Sequence, residues 1–333
     1  MGRYPFHAYL KQYIQDCKHR KAENTLWQEE RTLRRIHDHF AELKAQGRVS
    51  SSNPKKMTEK DVKEFLYYIQ QLNLHINTQA KYSQYLQSFL TFCENPCMSR
   101  LKLRKELPRA RHDQEIRVLS EEEIERLLNI ADQLPGWKGT VMSFAVRFYF
   151  YTGLRAGELR TAHLVDIDTF KWTFYVRHPK GEKTWGSKAT IPIIPHLRPY
   201  VVEYLEKREK RLQERGIEKC DALLPNLNLK KDRGQFYIAQ TFLKMRYELI
   251  EASGVNFDFR VLRRCCGQFL RDRDVPIDAV SKILRHQTTR TTELYYARIR
   301  DTKAYAEIED AWSRRPLASR GAEKPLIEIV PGK

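Results

Sequence analysis

The residues of this sequence that could do chemistry are mainly cations, joined near the carboxyl end by one histidine and a pair of tyrosines. Arg155 lies in the segment TGLRAGEL, after a glycine turn and at the start of a predicted helix. Glu158 follows three residues later and is expected on the same helical face, where its carboxylate would hold the guanidinium in one rotamer. Taken alone, the pair could equally be an ordinary surface ion pair.

A second group of cations lies in the segment RVLRRCCGQF, which begins at Arg260. At about 100° per residue, Arg260, Arg263, Arg264 and Gly267 fall on one side of a helix, opposite an apolar side formed by Leu262, Cys266 and Phe269. Three guanidiniums beside a glycine are suited to bind a phosphate group. The other interpretation is a set of solvated cations on a surface helix.

The last group begins where ILRH closes an amphipathic helix at His286, and Tyr295 and Tyr296 follow nine and ten residues later. Each of these residues, taken singly, is more often structural than catalytic. The sequence contains no GxxxxGK[ST] phosphate loop, no HExxH motif and no GxSxG elbow, which argues against nucleotide-driven or zinc chemistry. We therefore expect neither a cofactor nor a metal ion.

The elements that must position these groups are mostly helices. A basic stretch, RLKLRKELPRARHDQEIR, is expected to link an all-helical first domain to a second domain, although it could also be only a solvated charge run. Ser120 and Glu123 form a capping box at the start of the second domain, and Thr58 and Asp61 form a similar one in the first. Apolar spacing predicts helices at about 24–43, 58–72, 78–93, 141–151, 199–216, 234–253, 259–271 and 276–285, and alternation predicts a β-hairpin from 172–176 and 189–193.

The composition favours a folded, basic protein. The chain has 333 residues, with 60 Lys and Arg against 42 Asp and Glu, a formal net charge of +18, and 11% aromatic residues. Such an excess suits a polyanionic partner, which could be nucleic acid, an anionic membrane surface or an acidic protein. The scattered cysteines, with no apolar stretch long enough for a signal peptide or a membrane span, predict reduced thiols in a cytoplasmic protein.

The order of these segments resembles the tyrosine recombinase (phage integrase) family in its simple two-domain form. TGLRAGEL is similar to the family's first arginine box, with Arg155 in the arginine position and Glu158 in the acidic one. Lys180, in the hairpin turn HPKGEK, resembles the mobile catalytic lysine.

The remaining boxes follow in the family's order. Arg263 is similar to the second catalytic arginine, and Arg260 occupies the position where the family usually carries a histidine. LRHQTTRTTELYY resembles the segment that holds the third-box histidine, here His286, and the nucleophile, for which the spacing favours Tyr295 over Tyr296. Arg285 is the second departure, because it stands where the family usually has glycine.

The resemblance implies a mainly α fold with a small antiparallel β-sheet in the catalytic domain. We expect a helical core-binding domain at 1–99, a basic linker at 100–117, a catalytic domain at 118–312 and a tail at 313–333, the two domains forming a clamp around DNA. The tail is expected to dock on a neighbouring protomer, as such segments often do in this family.

The resemblance also implies a reaction, in which Tyr295 attacks a DNA phosphodiester and forms a 3′-phosphotyrosyl intermediate without ATP or metal. Arg155 and Arg263 would neutralise the transition state, with Arg260 and Arg264 as further phosphate contacts, and His286 would assist. Lys180 would protonate the leaving 5′-oxygen, with Lys183 and Lys188 as alternatives.

The implied partners are double-stranded DNA and further copies of the chain, a tetramer in the synaptic complex, with no membrane. Two other functions stay open, a type IB topoisomerase and a DNA-binding relative in which Arg260 marks a decayed site. The sequence does not distinguish integration from excision or from resolution of chromosome dimers.

Overall fold

The helices expected from apolar spacing are present in the computed structural model, which describes residues 5–110, 117–182, 186–227, 235–296 and 309–310. The chain divides into two compact units, one formed by the described residues up to 110 and the other by those from 117 onward. The expected fold class, mainly helical with a small antiparallel sheet, is confirmed.

The first unit is helical throughout its described residues. Its helices are α1 (Pro5–Cys17), α2 (Glu23–Ala45), α3 (Glu59–Gln71), α4 (Ile76–Phe92) and α5 (Cys97–Leu103). The predicted capping box opens α3, since the Asp61 amide donates to Thr58 Oγ1 and the Thr58 amide donates to Asp61 Oδ2. Helix α5 covers the first residues of the segment expected to be a linker, because Leu101 is packed in the core and anchors the helix.

The second unit contains eight further helices among the described residues. They are α6 (Glu121–Gln133), α7 (Gly136–Thr152), α8 (Ala156–Arg160), α9 (Arg198–Glu214), α10 (Ala239–Ser253), α11 (Phe259–Asp272), α12 (Ile277–Leu284) and α13 (Thr289–Tyr296). Helix α7 is buried along nearly its whole length, and α6, α9 and α11 pack against it. It is therefore the central element that supports the others.

The strands of the second unit are short. An antiparallel sheet has the order β1 (Ile167–Asp168), β2 (Thr173–Val176) and β3 (Ala189–Pro192), with Phe174 opposite Ile191. The hairpin of β2 and β3 is the predicted one. A separate antiparallel pair, β4 (Pro225–Asn226) and β5 (Gln235–Phe236), was not predicted, because two-residue strands are too short to show alternation. The predicted start of the helix at 234–253 was wrong, since β5 occupies residues 235–236 and α10 begins at Ala239.

Among the described helices, none is both long enough and apolar enough to cross a membrane. Beyond Tyr296 the structure describes only residues 309–310, which are helical. The tail expected at 313–333 lies outside the described residues.

Candidate active site

The site is built around a close approach between the end of α7 and the end of α12. Helix α7 stops at Gly153, which has a left-handed φ of +62°. A Cβ atom at this position would lie 2.5 Å from Leu284 Cδ2, so only glycine allows the two segments to approach this closely. The first arginine box and the histidine segment are thereby brought together.

Arg155 lies just before α8 and is held by Glu158, as their spacing predicted. The Arg155 Nη1 donates to Glu158 Oε1 at 2.9 Å, and the Arg155 amide donates to Glu158 Oε2 at 2.8 Å. The carboxylate side chain is only 1% exposed and that of Arg155 is 22% exposed. Because it is buried and doubly bonded, this pair differs from an ordinary surface ion pair, whose contribution is small.

Arg263, on α11, is directed into the same region and is 8% exposed. Its Nη1 donates to the carbonyl oxygen of Gly153, and its Nη2 donates to the carbonyl oxygen of Leu284. These two hydrogen bonds connect the residue that ends α7 to the last residue of α12 through one side chain. The guanidinium is therefore fixed by backbone groups from both segments.

Arg285 forms the turn after α12 and adds a third guanidinium. Its φ and ψ are +53° and +50°, a left-handed conformation that side chains other than glycine seldom adopt. Its Nη2 donates to Glu158 Oε2, and its carbonyl oxygen accepts from Arg155 Nη2 at 3.3 Å. Burial lowers the pKa of Arg285, although nearby Glu158 raises it.

His286 follows directly and is electrically neutral at physiological pH. Its Nδ1 is hydrogen-bonded to Thr292 Oγ1 at 2.8 Å. Burial and then the positive charges of Arg263, Arg155 and Arg285 lower the pKa of His286 to about 4. The ring can therefore donate or accept one hydrogen bond on its remaining nitrogen without adding charge.

The charge balance of this cluster suits an anion. The cluster contains three guanidiniums, of Arg155, Arg263 and Arg285, and one carboxylate, of Glu158, which binds two of them, so its net charge is +2 while His286 is neutral. A phosphodiester carries one negative charge and gains a second in a pentacoordinate transition state. The cluster can thus neutralise the charge that such a reaction develops.

Helix α13 carries both candidate nucleophiles on a backbone that packs against α11 and α12. Tyr295 and Tyr296 form its last residues, and the part of the chain that the structure describes does not include their side chains. The choice between them stays a prediction from spacing.

The other predicted site residues that the structure describes are more exposed than Arg263. Arg260 is 82% exposed and lies 3.9 Å from Asp258 Oδ2. Arg264 is half-buried on α11, and Lys180 is exposed in the β2–β3 turn. Lys188 lies 3.8 Å from Glu182, and Lys183 is outside the described residues. Arg260 and Arg263 share a helical spacing on α11, but only Arg263 is buried.

Three functional features were missed by sequence reasoning. Thr292 holds the histidine, Gly153 supplies both the close approach and a carbonyl acceptor, and the side chain of Arg285 binds Glu158. The glycine and the arginine lay in segments already singled out, but only tertiary contacts reveal these roles. Within the described ranges, no group of three His, Cys, Asp or Glu side chains could hold a metal ion.

The chain belongs to the phage integrase family, whose model matches residues 117–302. A curated relative from Caldanaerobacter subterraneus subsp. tengcongensis, a tyrosine recombinase XerC-like protein, is 24% identical over 226 residues, covering 62% of this chain and 56% of the relative. The chain thus spans little more than half the length of that relative.

Solved structures share the fold. A post-cleavage complex of the XerH site-specific recombinase bound to palindromic difH substrate superimposes with a TM-score of 0.65 at 14% identity, over 94% of this chain and 98% of that one. The Tn1549 transposon integrase in complex with circular intermediate DNA gives a TM-score of 0.65 at 18% identity, over 90% of this chain and 98% of that one. The resemblance noted in the sequence is confirmed at the level of family and fold.

Proposed function

We propose that this protein is a site-specific DNA recombinase that cuts and rejoins DNA through a 3′-phosphotyrosyl intermediate. The observation that carries the proposal is the convergence of Arg155, Arg263 and a neutral His286 next to α13, the helix whose last two residues are Tyr295 and Tyr296. The family match covers all of these residues.

In the proposed reaction, Tyr295 Oη attacks the scissile phosphorus, the bond to the 5′-oxygen breaks, and a 5′-hydroxyl leaves. The phosphodiester energy is kept in the tyrosyl ester, so the reverse attack by a 5′-hydroxyl rejoins a strand. Arg155 and Arg263 are suited to stabilise the non-bridging oxygens, because planar guanidiniums offer paired donors and keep their charge.

Proton transfer needs groups that can exchange a proton. Lysine can lose and regain its proton whereas arginine cannot, which makes Lys180 the proposed acid for the leaving 5′-oxygen. Lys180 is exposed in the β2–β3 turn, and we propose that its amine reaches the leaving oxygen when DNA is bound. Arg260 and Arg264 are proposed as additional phosphate contacts.

The proposed partners are double-stranded DNA, which the net charge of +18 favours, and three further copies of the chain in a synaptic tetramer. The XerH and Tn1549 proteins were both solved with DNA, which supports the same partner here. The proposed place of action is the nucleoid of a prokaryotic or viral host cell.

Covalent capture tests the proposal. Wild type, Tyr295→Phe and Tyr296→Phe are incubated with DNA from the gene's own neighbourhood, denatured in detergent and examined for protein-linked DNA. We expect an adduct that is lost only in Tyr295→Phe. Loss only in Tyr296→Phe would reassign the nucleophile. An absence of adduct on this DNA and on a panel of supercoiled plasmids, with DNA binding intact, would contradict the proposal.

A further inference from the structure

Three consecutive residues at the turn between α12 and α13 each contribute to the proposed site. The carbonyl oxygen of Leu284 accepts from Arg263 Nη2, and that of Arg285 accepts from Arg155 Nη2 at 3.3 Å. His286 then presents its imidazole. The backbone conformation at Arg285 sets how these two carbonyl groups are oriented relative to each other, so this residue links the positions of the two arginines.

Arg285 combines two unfavourable features. Its left-handed φ of +53° is a conformation that glycine adopts without penalty and that a Cβ atom disfavours. Its side chain is only 10% exposed, and its Nε has no acceptor among the described residues. A buried guanidinium with an unsatisfied donor is destabilising unless a specific partner compensates it.

Glu158 is that partner. Its carboxylate is almost fully buried and accepts from the Arg155 amide, from Arg155 Nη1 and from Arg285 Nη2. One carboxylate therefore ties the turn after α12 to the start of α8. The Arg285 side chain binds Glu158, and the Arg285 carbonyl group accepts a hydrogen bond from Arg155. Because Arg155 and Glu158 also bind each other, these contacts hold the left-handed residue from both its side chain and its backbone.

We propose that Arg285 is a positioning residue, whose side chain, by binding Glu158, holds the left-handed turn that aims two backbone carbonyl groups at Arg155 and Arg263. The inference rests on the proposed function for its catalytic consequence. In this proposal Arg285 acts through its neighbours, since its guanidinium binds Glu158 and its side chain is only 10% exposed.

Three substitutions separate the guanidinium from the backbone conformation. Arg285→Met removes the charge and keeps the length, Arg285→Lys keeps a charge, and Arg285→Gly frees the backbone while removing the bond to Glu158. The matched control is Asn73→Gly, which frees a left-handed φ of +50° at an exposed residue just after α3, in the first unit. It reports what removal of backbone strain does by itself.

The first readout compares DNA affinity with the rate of protein–DNA adduct formation. We expect Arg285→Met and Arg285→Gly to form the adduct about 10- to 100-fold more slowly, since small misplacements of catalytic groups have effects of that size. Affinity should change far less, and Arg285→Lys should recover part of the rate. Arg285→Gly cleaving as fast as wild type would overturn the proposal.

The second readout does not depend on cleavage. In protein labelled with ¹³C at the histidine Cε1 atoms, the His286 signal is identified by its loss in His286→Gln, and its pKa is followed by NMR. We expect the pKa to rise from about 4 in the wild type when Met replaces Arg285, because a neighbouring positive charge is lost and the turn loosens. If no DNA yields an adduct with wild type, the proposed function fails, but this titration still decides the role of Arg285. An unchanged His286 pKa in that case would overturn it.

Discussion

At the scale of single residues, the state of His286 is the most testable feature of the site. Because its pKa in the folded chain is about 4, below the ordinary value of 6.5, the unfolded chain binds a proton more readily than the folded one. The contribution of the neutral His286 ring to the free energy of unfolding is therefore full above pH 6.5 and decreases as the pH falls toward 4. Urea unfolding at pH 7 and pH 5 should show this loss, and the loss should be smaller in His286→Gln. An equal loss in both proteins would contradict the prediction.

Thr292 is the second residue-scale case, because its hydroxyl is the observed partner of His286 Nδ1 and its side chain is fully buried. Thr292→Val keeps the shape and removes the hydrogen bond. We expect it to destabilise the protein by about 1 to 3 kcal/mol, the usual cost of leaving a buried polar group unpaired. Thr292→Ser should keep most of the stability. Urea unfolding measures both, and a Val variant as stable as wild type would show that the bond is unimportant.

At the scale of elements, Gly153 determines how closely α7 and α12 pack. Gly254 is a matched control, since it also ends a helix with a positive φ, +68°, but a Cβ atom there would meet nothing within 4 Å. We expect Gly254→Ala to cost about 1 to 2 kcal/mol from backbone strain alone. Gly153→Ala should cost about 1 to 3 kcal/mol more, because the added methyl overpacks Leu284.

Thermal and urea unfolding of the two glycine variants give the comparison. Gly153→Ala should also slow adduct formation, since the Gly153 carbonyl holds Arg263. Equal destabilisation by both substitutions would mean that α12 can shift away from the turn.

Local signals in the sequence were enough for the helices and the hairpin. The Ser120 hydroxyl accepts from the Glu123 amide as the capping box predicted, and apolar spacing placed α2, α3 and α11 within a few residues. Helix α1 was not predicted, and its packing on α2 and α4 shows that tertiary contacts stabilise it.

In the site, the Arg155–Glu158 contact is local and was predicted. The contacts of Arg263 with Gly153 and Leu284 cross 110 and 21 residues, distances at which periodicity carries no information.

At the scale of the whole molecule, the net charge of +18 predicts how the protein finds DNA. Binding that neutralises phosphates releases counterions, so the logarithm of the affinity should fall linearly with the logarithm of the salt concentration. If about 6 to 10 phosphates are contacted, affinity for a random duplex should fall about 10³- to 10⁵-fold between about 50 and 200 mM salt.

Matched variants make the salt prediction specific. Tyr295→Phe should have the wild-type slope, because the tyrosine is uncharged at neutral pH. Lys180→Ala should lower the slope by about 0.9 if Lys180 reaches a phosphate when DNA is bound. Since this lysine is exposed, a change in slope would be evidence that its amine lies against a phosphate when DNA is bound. A fluorescence anisotropy titration at several salt concentrations measures all three slopes. An unchanged slope in Lys180→Ala would remove this lysine from the DNA contact and leave Lys183 and Lys188 as the candidate acids.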